Sequence, residues 1–83
     1  GGSAQDMPQV TVSAPQNALI ADIMTLAGVA LSKSEARRLI DGGGVKINDS
    51  KVLGSADALD KYTAEKEFVL HKGKKVHLRV TLK

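Results

Sequence analysis

The sequence of 83 residues contains no cysteine and no tryptophan, and it has a single phenylalanine and a single tyrosine. The absence of cysteine excludes disulfide bonds, thiol nucleophiles and cysteine-ligated zinc. The scarcity of aromatic rings excludes a platform on which unstacked nucleic-acid bases could stack. No apolar run approaches the roughly 20 residues that span a bilayer, so we expect no membrane partner.

The remaining composition is that of an ordinary globular domain, with 42% hydrophobic residues, 25% charged residues and a formal net charge of +3. A chain of this size buries only about 60% of its unfolded surface, which is enough for one modest core. We interpret residues 1–10 as an expression scar, Gly1–Ser3, followed by a disordered lead-in. Residues 11–83 are then predicted to form a single domain.

The positive charge is concentrated in two blocks. Residues 32–53 contain five cations and have a net charge of +2, and residues 68–83 contain five cations, no acid and a net charge of +5. Residues 1–31 and 54–67 each have a net charge of −2. This segregation favours a basic face with a polyanionic partner. Nucleic acid is the hypothesis, and solvated surface lysines are the alternative.

Two helices are indicated in the first half of the chain. Apolar residues recur with a period of 3.6 between a cap at Asn17 and a stop at Gly28, which predicts an amphipathic helix. Ser32 and Glu35 form the Ser-x-x-Glu pattern of a capping box, in which the hydroxyl accepts from the Glu35 backbone and the carboxylate reaches back. The second helix is therefore predicted over Lys33–Asp41, ended by three glycines.

Strands are indicated by alternating apolar and polar residues. The expected fold class is α+β, with two helices in a hairpin-like arrangement packed on a small antiparallel sheet. The acidic segment 54–67 contains one short helical turn in this interpretation. The predicted strands are Val10–Val12, Val45–Asn48, Lys51–Leu53, Phe68–His71 and a closing strand over residues 75–83.

No catalytic or cofactor-binding constellation is recognised. His71 and His77 lack a third ligand, so surface or half-buried strand positions are favoured over a metal site. The glycines at 42–44 follow a helix, which favours a helix cap over a phosphate cradle. We interpret the carboxylates of the segment 54–67 as a solvated acidic loop: Asp57, Asp60, Glu65 and Glu67. The domain is predicted to hold no catalytic residue, no metal and no cofactor.

The motifs of residues 19–52 together resemble the RNA-binding domain of the ribosomal small-subunit protein S-four. They are a helix that ends in glycine, Ser-Lys-Ser-Glu-Ala-Arg-Arg-Leu-Ile at 32–40, Gly-Gly-Val-Lys-Ile-Asn at 43–48 and Lys-Val at 51–52. The Leu-His-Lys-Gly-Lys-Lys sequence at 70–75 is similar to the family's late Gly-Lys strand. The resemblance implies an S-four-like fold that binds structured RNA.

Within that family, the chain is most similar to the C-terminal domain of bacterial-type and mitochondrial tyrosyl-tRNA synthetases. The resemblance implies that it binds tRNA(Tyr) as a fragment of a tyrosine–tRNA ligase, beside a separate N-terminal catalytic domain. Asp49 departs from the family, where glycine usually follows the asparagine. The segment 54–67, which departs in length and acidity, favours the mitochondrial matrix over the bacterial cytoplasm. Group I intron RNA is a second partner that the family permits.

The second helix is predicted to bury its apolar stripe and to turn cations outward, where guanidinium groups can contact phosphate oxygens. Two alternatives remain: an S-four domain of an rRNA-modifying or ribosome-associated protein, and a protein-docking module that uses a hairpin edge. The candidate RNA-binding residues lie in the two basic blocks: Lys33, Ser34, Arg37, Arg38, Lys46, Lys51, Lys72, Lys74, Lys75 and Arg79.

Overall fold

Two short helices and five strands make up the computed structural model, which describes residues 7–83 and confirms the α+β prediction. Residues Gly1–Ser3, which the sequence indicates to be an expression scar, lie outside the described residues. The lead-in predicted over residues 1–10 is too long, because the first strand already begins at Gln9. In chain order the elements are β1 Gln9–Val12, α1 Ile20–Leu26, α2 Lys33–Asp41, β2 Val45–Ile47, β3 Ser50–Lys51, a 3₁₀ turn Leu59–Lys61, β4 Glu67–Lys72 and β5 Val76–Leu82.

The strands form one sheet in the order β1-β5-β4-β2-β3. The pairs β2–β3, β2–β4 and β4–β5 are antiparallel, as predicted. Strand β1 instead runs parallel to β5, with Val10 opposite Val80, so the expectation of a wholly antiparallel sheet was wrong at this edge. Alternation of apolar residues shows which face of a strand is buried but not its direction, and these two strands are the first and last of the domain.

A single apolar cluster joins both helices to one face of the sheet. Alternate residues of β4 and β5 enter this cluster, which confirms the period of two in the closing hairpin. Among residues 7–83, every buried residue is apolar. The other sheet face therefore retains the polar and basic residues. The buried residues include Ile20, Ile23, Met24, Ala36, Ile40, Val45, Ile47, Leu59, Phe68, Leu70 and Val80.

Helix α1 begins later than predicted and without a side-chain cap. Its N-cap position is Leu19, whose side chain makes no capping hydrogen bond, so the cap assigned to Asn17 was wrong. The first turn is stabilised from the acidic segment instead, because the Ile20 N–H donates to the Asp57 carbonyl at 3.0 Å. The Leu59 N–H donates in return to the Ala18 carbonyl at 2.9 Å. Two backbone hydrogen bonds, between residues 37 and 41 positions apart in the sequence, thus replace the local cap.

Helix α2 spans the predicted residues Lys33–Asp41 and has the predicted cap. The Glu35 N–H donates to the Ser32 hydroxyl at 3.2 Å. The Glu35 carboxylate reaches back and accepts from the Leu31 N–H at 3.4 Å. After the helix, Gly43 adopts a φ of 77°, a left-handed conformation that glycine takes without steric cost.

Replacing Ser32 with alanine should lower the free energy of unfolding by about 1 kcal/mol, because one of the first N–H groups of α2 loses its acceptor. Chemical denaturation followed by circular dichroism measures this change. The Ser32 side chain is exposed and uncharged, so RNA affinity should stay nearly constant. Loss of RNA binding in a folded Ser32→Ala variant would contradict the assignment of this hydroxyl as a cap.

The acidic segment is more organised than the solvated loop that the sequence predicted. The Asp57 carboxylate accepts from the Tyr62 hydroxyl at 2.5 Å and from the Gly54 N–H at 3.0 Å. Donation from Tyr62, with smaller contributions from Gly54 and Lys61, lowers the pKa of Asp57 below its ordinary value of 3.8. The segment also inserts Leu59 into the core. Asp57 therefore belongs to the scaffold, whereas the other three acids of the segment are exposed.

Candidate nucleic-acid interface

The exposed side of α2 presents a set of polar and basic residues, called here the helix patch. The helix buries Ala36 and Ile40 against the core, so the opposite arc faces solvent. Successive residues are about 100° apart on an α-helix, which places the cations of this arc on neighbouring radial positions. The helix patch consists of Lys33, Ser34, Arg37 and Arg38, all exposed.

The members of the helix patch differ in whether an acid neutralises them. The Lys33 ammonium lies 3.2 Å from the Asp22 carboxylate on α1. Within residues 7–83, neither Arg37 nor Arg38 makes an ion pair, although Asp41 lies three residues beyond Arg38 on the same helix. The two arginines are therefore the cations of α2 best placed to bind an external anion.

A second group of cations, called here the sheet patch, begins where α2 ends. It comprises Lys46, Lys51, Lys74 and Lys75, all exposed. The Lys51 side chain lies against Gly43, because a Cβ atom added at position 43 would be 2.9 Å from the Lys51 Cε atom. The Gly73 N–H donates to the Gly44 carbonyl at 2.6 Å, which holds the β4–β5 turn beside the start of β2.

A row of basic side chains crosses the outward face of the sheet from β3 to β5. Strand register sets Lys46 beside Lys51 on one side and beside His71 on the other. His71 in turn lies opposite His77. Neighbouring strands are about 4.8 Å apart, so the row extends roughly 15 Å. The histidines were predicted to lie on strands but not to belong to the site, because strand register is a tertiary property.

Two predicted site residues are placed differently from the rest. Lys72 follows Phe68 and Leu70 on the inward face, and its ammonium donates to the Val29 carbonyl at 2.9 Å. This contact fastens the α1–α2 connection to the sheet. Arg79 faces outward but is half-buried between β1 and β4. Arg79 thus adjoins the basic row, whereas Lys72 is separated from it.

A matched pair of lysine variants tests this difference. Lys72→Met should lower the free energy of unfolding by about 1 kcal/mol, because the Val29 carbonyl loses a charged donor, and should change RNA affinity little. Lys74→Met should leave stability within about 0.5 kcal/mol and weaken RNA binding. Thermal unfolding and a binding titration measure the two quantities. If Lys72→Met instead weakened RNA binding and Lys74→Met lowered stability, Lys72 would belong to the interface.

Asn48 shapes the turn that carries the basic row between β2 and β3. Its N–H donates to the Val69 carbonyl at 2.7 Å, and its side-chain oxygen accepts from the Val69 N–H at 3.0 Å. Asn48 has a φ of 55°, and no other described non-glycine residue has a positive φ. Asp49 therefore occupies a position without a left-handed requirement, so this departure from the family leaves the turn intact.

The α+β fold, with a capped basic helix, a glycine triplet and a basic hairpin edge, defines an S-four-like domain. The family model for the Tyrosine--tRNA ligase SYY-like C-terminal domain matches residues 2–80. The chain belongs to this family. The resemblance stated from the motifs alone is therefore confirmed.

Relatives with curated names agree with this family. A tyrosine--tRNA ligase of Rhizobium meliloti is 39% identical over 89 residues, which cover 96% of this chain and 20% of the relative. One from Treponema denticola is 36% identical over 88 residues, with shares of 96% and 21%. One from Caldanaerobacter subterraneus is 36% identical over 87 residues, with shares of 100% and 21%. The chain spans about a fifth of the length of these relatives.

The described part of the chain offers neither a metal-binding cluster nor a membrane-spanning helix. Residues 7–83 contain no group of three or more histidine or acidic side chains arranged to hold a metal ion. Over the same residues, neither helix combines the length and the apolar content needed to cross a bilayer.

Proposed function

We propose that the chain is the tRNA-binding C-terminal domain of a tyrosine–tRNA ligase and that it binds tRNA(Tyr) through the helix and sheet patches. The observation that supports this most directly is the pair of exposed arginines, Arg37 and Arg38, without an acidic partner in the described residues. Their guanidinium groups present paired N–H donors that match phosphate oxygens. The family membership supports the choice of tRNA over other polyanions.

Recognition of folded RNA agrees with the side chains present. The sequence has two aromatic residues besides histidine, and both belong to the scaffold: Phe68 is buried, and the Tyr62 hydroxyl binds the Asp57 carboxylate. Stacking of splayed bases therefore has no platform here. Lysine and arginine contacts to phosphates, made over a helix face and a strand row, suit the backbone and shape of an RNA stem.

The proposal for this chain covers the binding of tRNA and does not include the ligase activity. Attachment of tyrosine to tRNA would take place in the part of the longer relatives that this chain does not cover. The mitochondrial location and the group I intron partner stay predictions, since the relatives named above are bacterial. The same relatives favour a bacterial protein. The rRNA-associated alternative receives no support from them.

An amide-shift titration with transcribed tRNA(Tyr) tests the proposal. Shifts should centre on residues 33–38 and on the hairpin positions 46–51 and 74–79, where the patches lie. An unrelated tRNA and a duplex DNA of equal charge are the controls, and they should produce weaker and more uniform shifts. The absence of shifts with every nucleic acid would reject the proposal and favour the protein-docking alternative.

A further inference from the structure

The two histidines of the chain face each other across β4 and β5. His71 and His77 are directly opposite in the strand register, and their Nδ1 atoms are 2.6 Å apart. Their rings meet edge to face, with centroids 4.8 Å apart and an interplanar angle of 75°. Both project from the outward face of the sheet, with His77 exposed and His71 half-buried. No other histidine is present in the sequence.

The two Nδ1 atoms are within hydrogen-bond distance, and the tautomers of the rings decide which of them donates. One Nδ1 must donate a hydrogen and the other must accept it with its lone pair. The neutral pair then has one remaining N–H, on the Nε2 of the accepting ring. One additional proton on the other Nε2 keeps the ring–ring hydrogen bond. It also gives the pair a charge of +1 and a second N–H donor. The pair can therefore gain affinity for an anion without rearranging.

The groups around the pair favour the binding of an anion. In the free protein, however, they disfavour a positive charge on the histidine pair. Burial, the charge of His77 and the charge of Lys46 lower the pKa of His71. Asp49 acts in the opposite direction. Lys46, Asn48, Asp49 and Lys74 line one surface depression with the two histidines. Lys51 extends the same row, and Arg79 faces outward two residues beyond His77.

We propose that the His71–His77 pair is a phosphate-binding site for the RNA backbone and that it takes up one proton from solvent when it binds. The inference rests on the proposed function. It adds the two histidines to the lysines and arginines of the proposed RNA-binding site. A backbone phosphate supplies the negative charge that the protonated pair needs, and Lys46 and Lys74 flank the same depression. RNA affinity then depends on pH in the range where histidine titrates.

The test compares binding of labelled tRNA(Tyr) at constant salt between about pH 8 and pH 6. The wild-type domain should bind about tenfold more tightly at the lower pH, the effect of one charge-assisted hydrogen bond. His71→Gln/His77→Gln should remove most of this dependence while keeping the lysines. His77→Gln alone, at an exposed position, serves as the variant least able to disturb folding, and it should also flatten the profile.

A second measurement reports on the histidines directly. Ring Cε1–H resonances followed through a pH titration should show the pKa of His71 rising when tRNA is bound. Affinity that is independent of pH, or equally dependent in wild type and in the folded double variant, overturns the inference and leaves the proposed function intact. Absence of tRNA binding at every pH rejects the proposed function itself, so the two failures are distinguishable.

Discussion

The double substitution Arg37→Glu/Arg38→Glu should weaken tRNA binding by at least about tenfold while leaving thermal unfolding nearly unchanged. Both side chains are exposed and make no ion pair within residues 7–83, so their removal costs little stability, within about 0.5 kcal/mol. Two glutamates in the helix patch remove phosphate contacts and add repulsion at the same point. Loss of one charged hydrogen bond alone corresponds to about 1.5–3 kcal/mol, which exceeds the tenfold threshold.

A matched variant separates local contacts from the change in overall charge. Lys66→Glu/Lys83→Glu lowers the net charge by the same amount, from +3 to −1. These residues lie at the opposite end of the β4–β5 hairpin, where the Leu82 N–H donates to the Lys66 carbonyl. The control should reduce affinity much less than the arginine variant, because Lys66 and Lys83 belong to neither the helix patch nor the sheet patch and salt screens charges that make no contact with the RNA. Equal losses would show that net charge, not α2, determines binding.

In a full-length ligase the arginine variant has a further expected consequence. The apparent KM for tRNA should rise, whereas formation of tyrosyl-adenylate should stay constant, since that step involves no tRNA. Unchanged tRNA affinity in the folded double variant would remove α2 from the interface. Such a result would leave the sheet patch as the remaining candidate.

The elements that the sequence predicted best are those determined by local interactions. The bounds of α2 followed from a capping box and a glycine stop, both of which act within a few residues. The closing strand was evident from alternation, because one sheet face is buried and the other is solvated. The helix patch was predictable for the same reason: once Ala36 and Ile40 face the core, the positions of Arg37 and Arg38 follow from helical geometry.

The predictions that failed depend on contacts between distant segments. The start of α1 is set by Asp57, and the direction of β1 by its pairing with β5. The Asp57–Tyr62 contact was equally hidden, since composition alone describes the segment 54–67 as acidic loop. The placement of Lys72 did have a signal. The period of two in β4 assigns it to the inward face with Leu70, although its lysine side chain suggests a surface position.

Salt should weaken binding of tRNA by about 10²-fold between 50 and 200 mM if about four phosphates are contacted. Each phosphate that a lysine or arginine neutralises releases bound counterions, so the logarithm of the affinity falls linearly with the logarithm of salt concentration. The count of four corresponds to Arg37 and Arg38 on the helix patch and Lys46 and Lys74 on the sheet patch. Fluorescence anisotropy over a series of salt concentrations measures the slope.

When the salt slope is measured on variants, its decrease reports how many phosphate contacts each variant has lost. Lys74→Met should reduce it by about one, and removal of both arginines should reduce it by about two, since each contributes one phosphate contact. Lys72→Met should leave it unchanged, because the Lys72 ammonium is occupied by the Val29 carbonyl. A flat salt response in the wild-type domain would contradict phosphate recognition and favour the protein-docking alternative. A steep slope that Lys74→Met and the arginine variant both fail to reduce would place the RNA on another face of the domain.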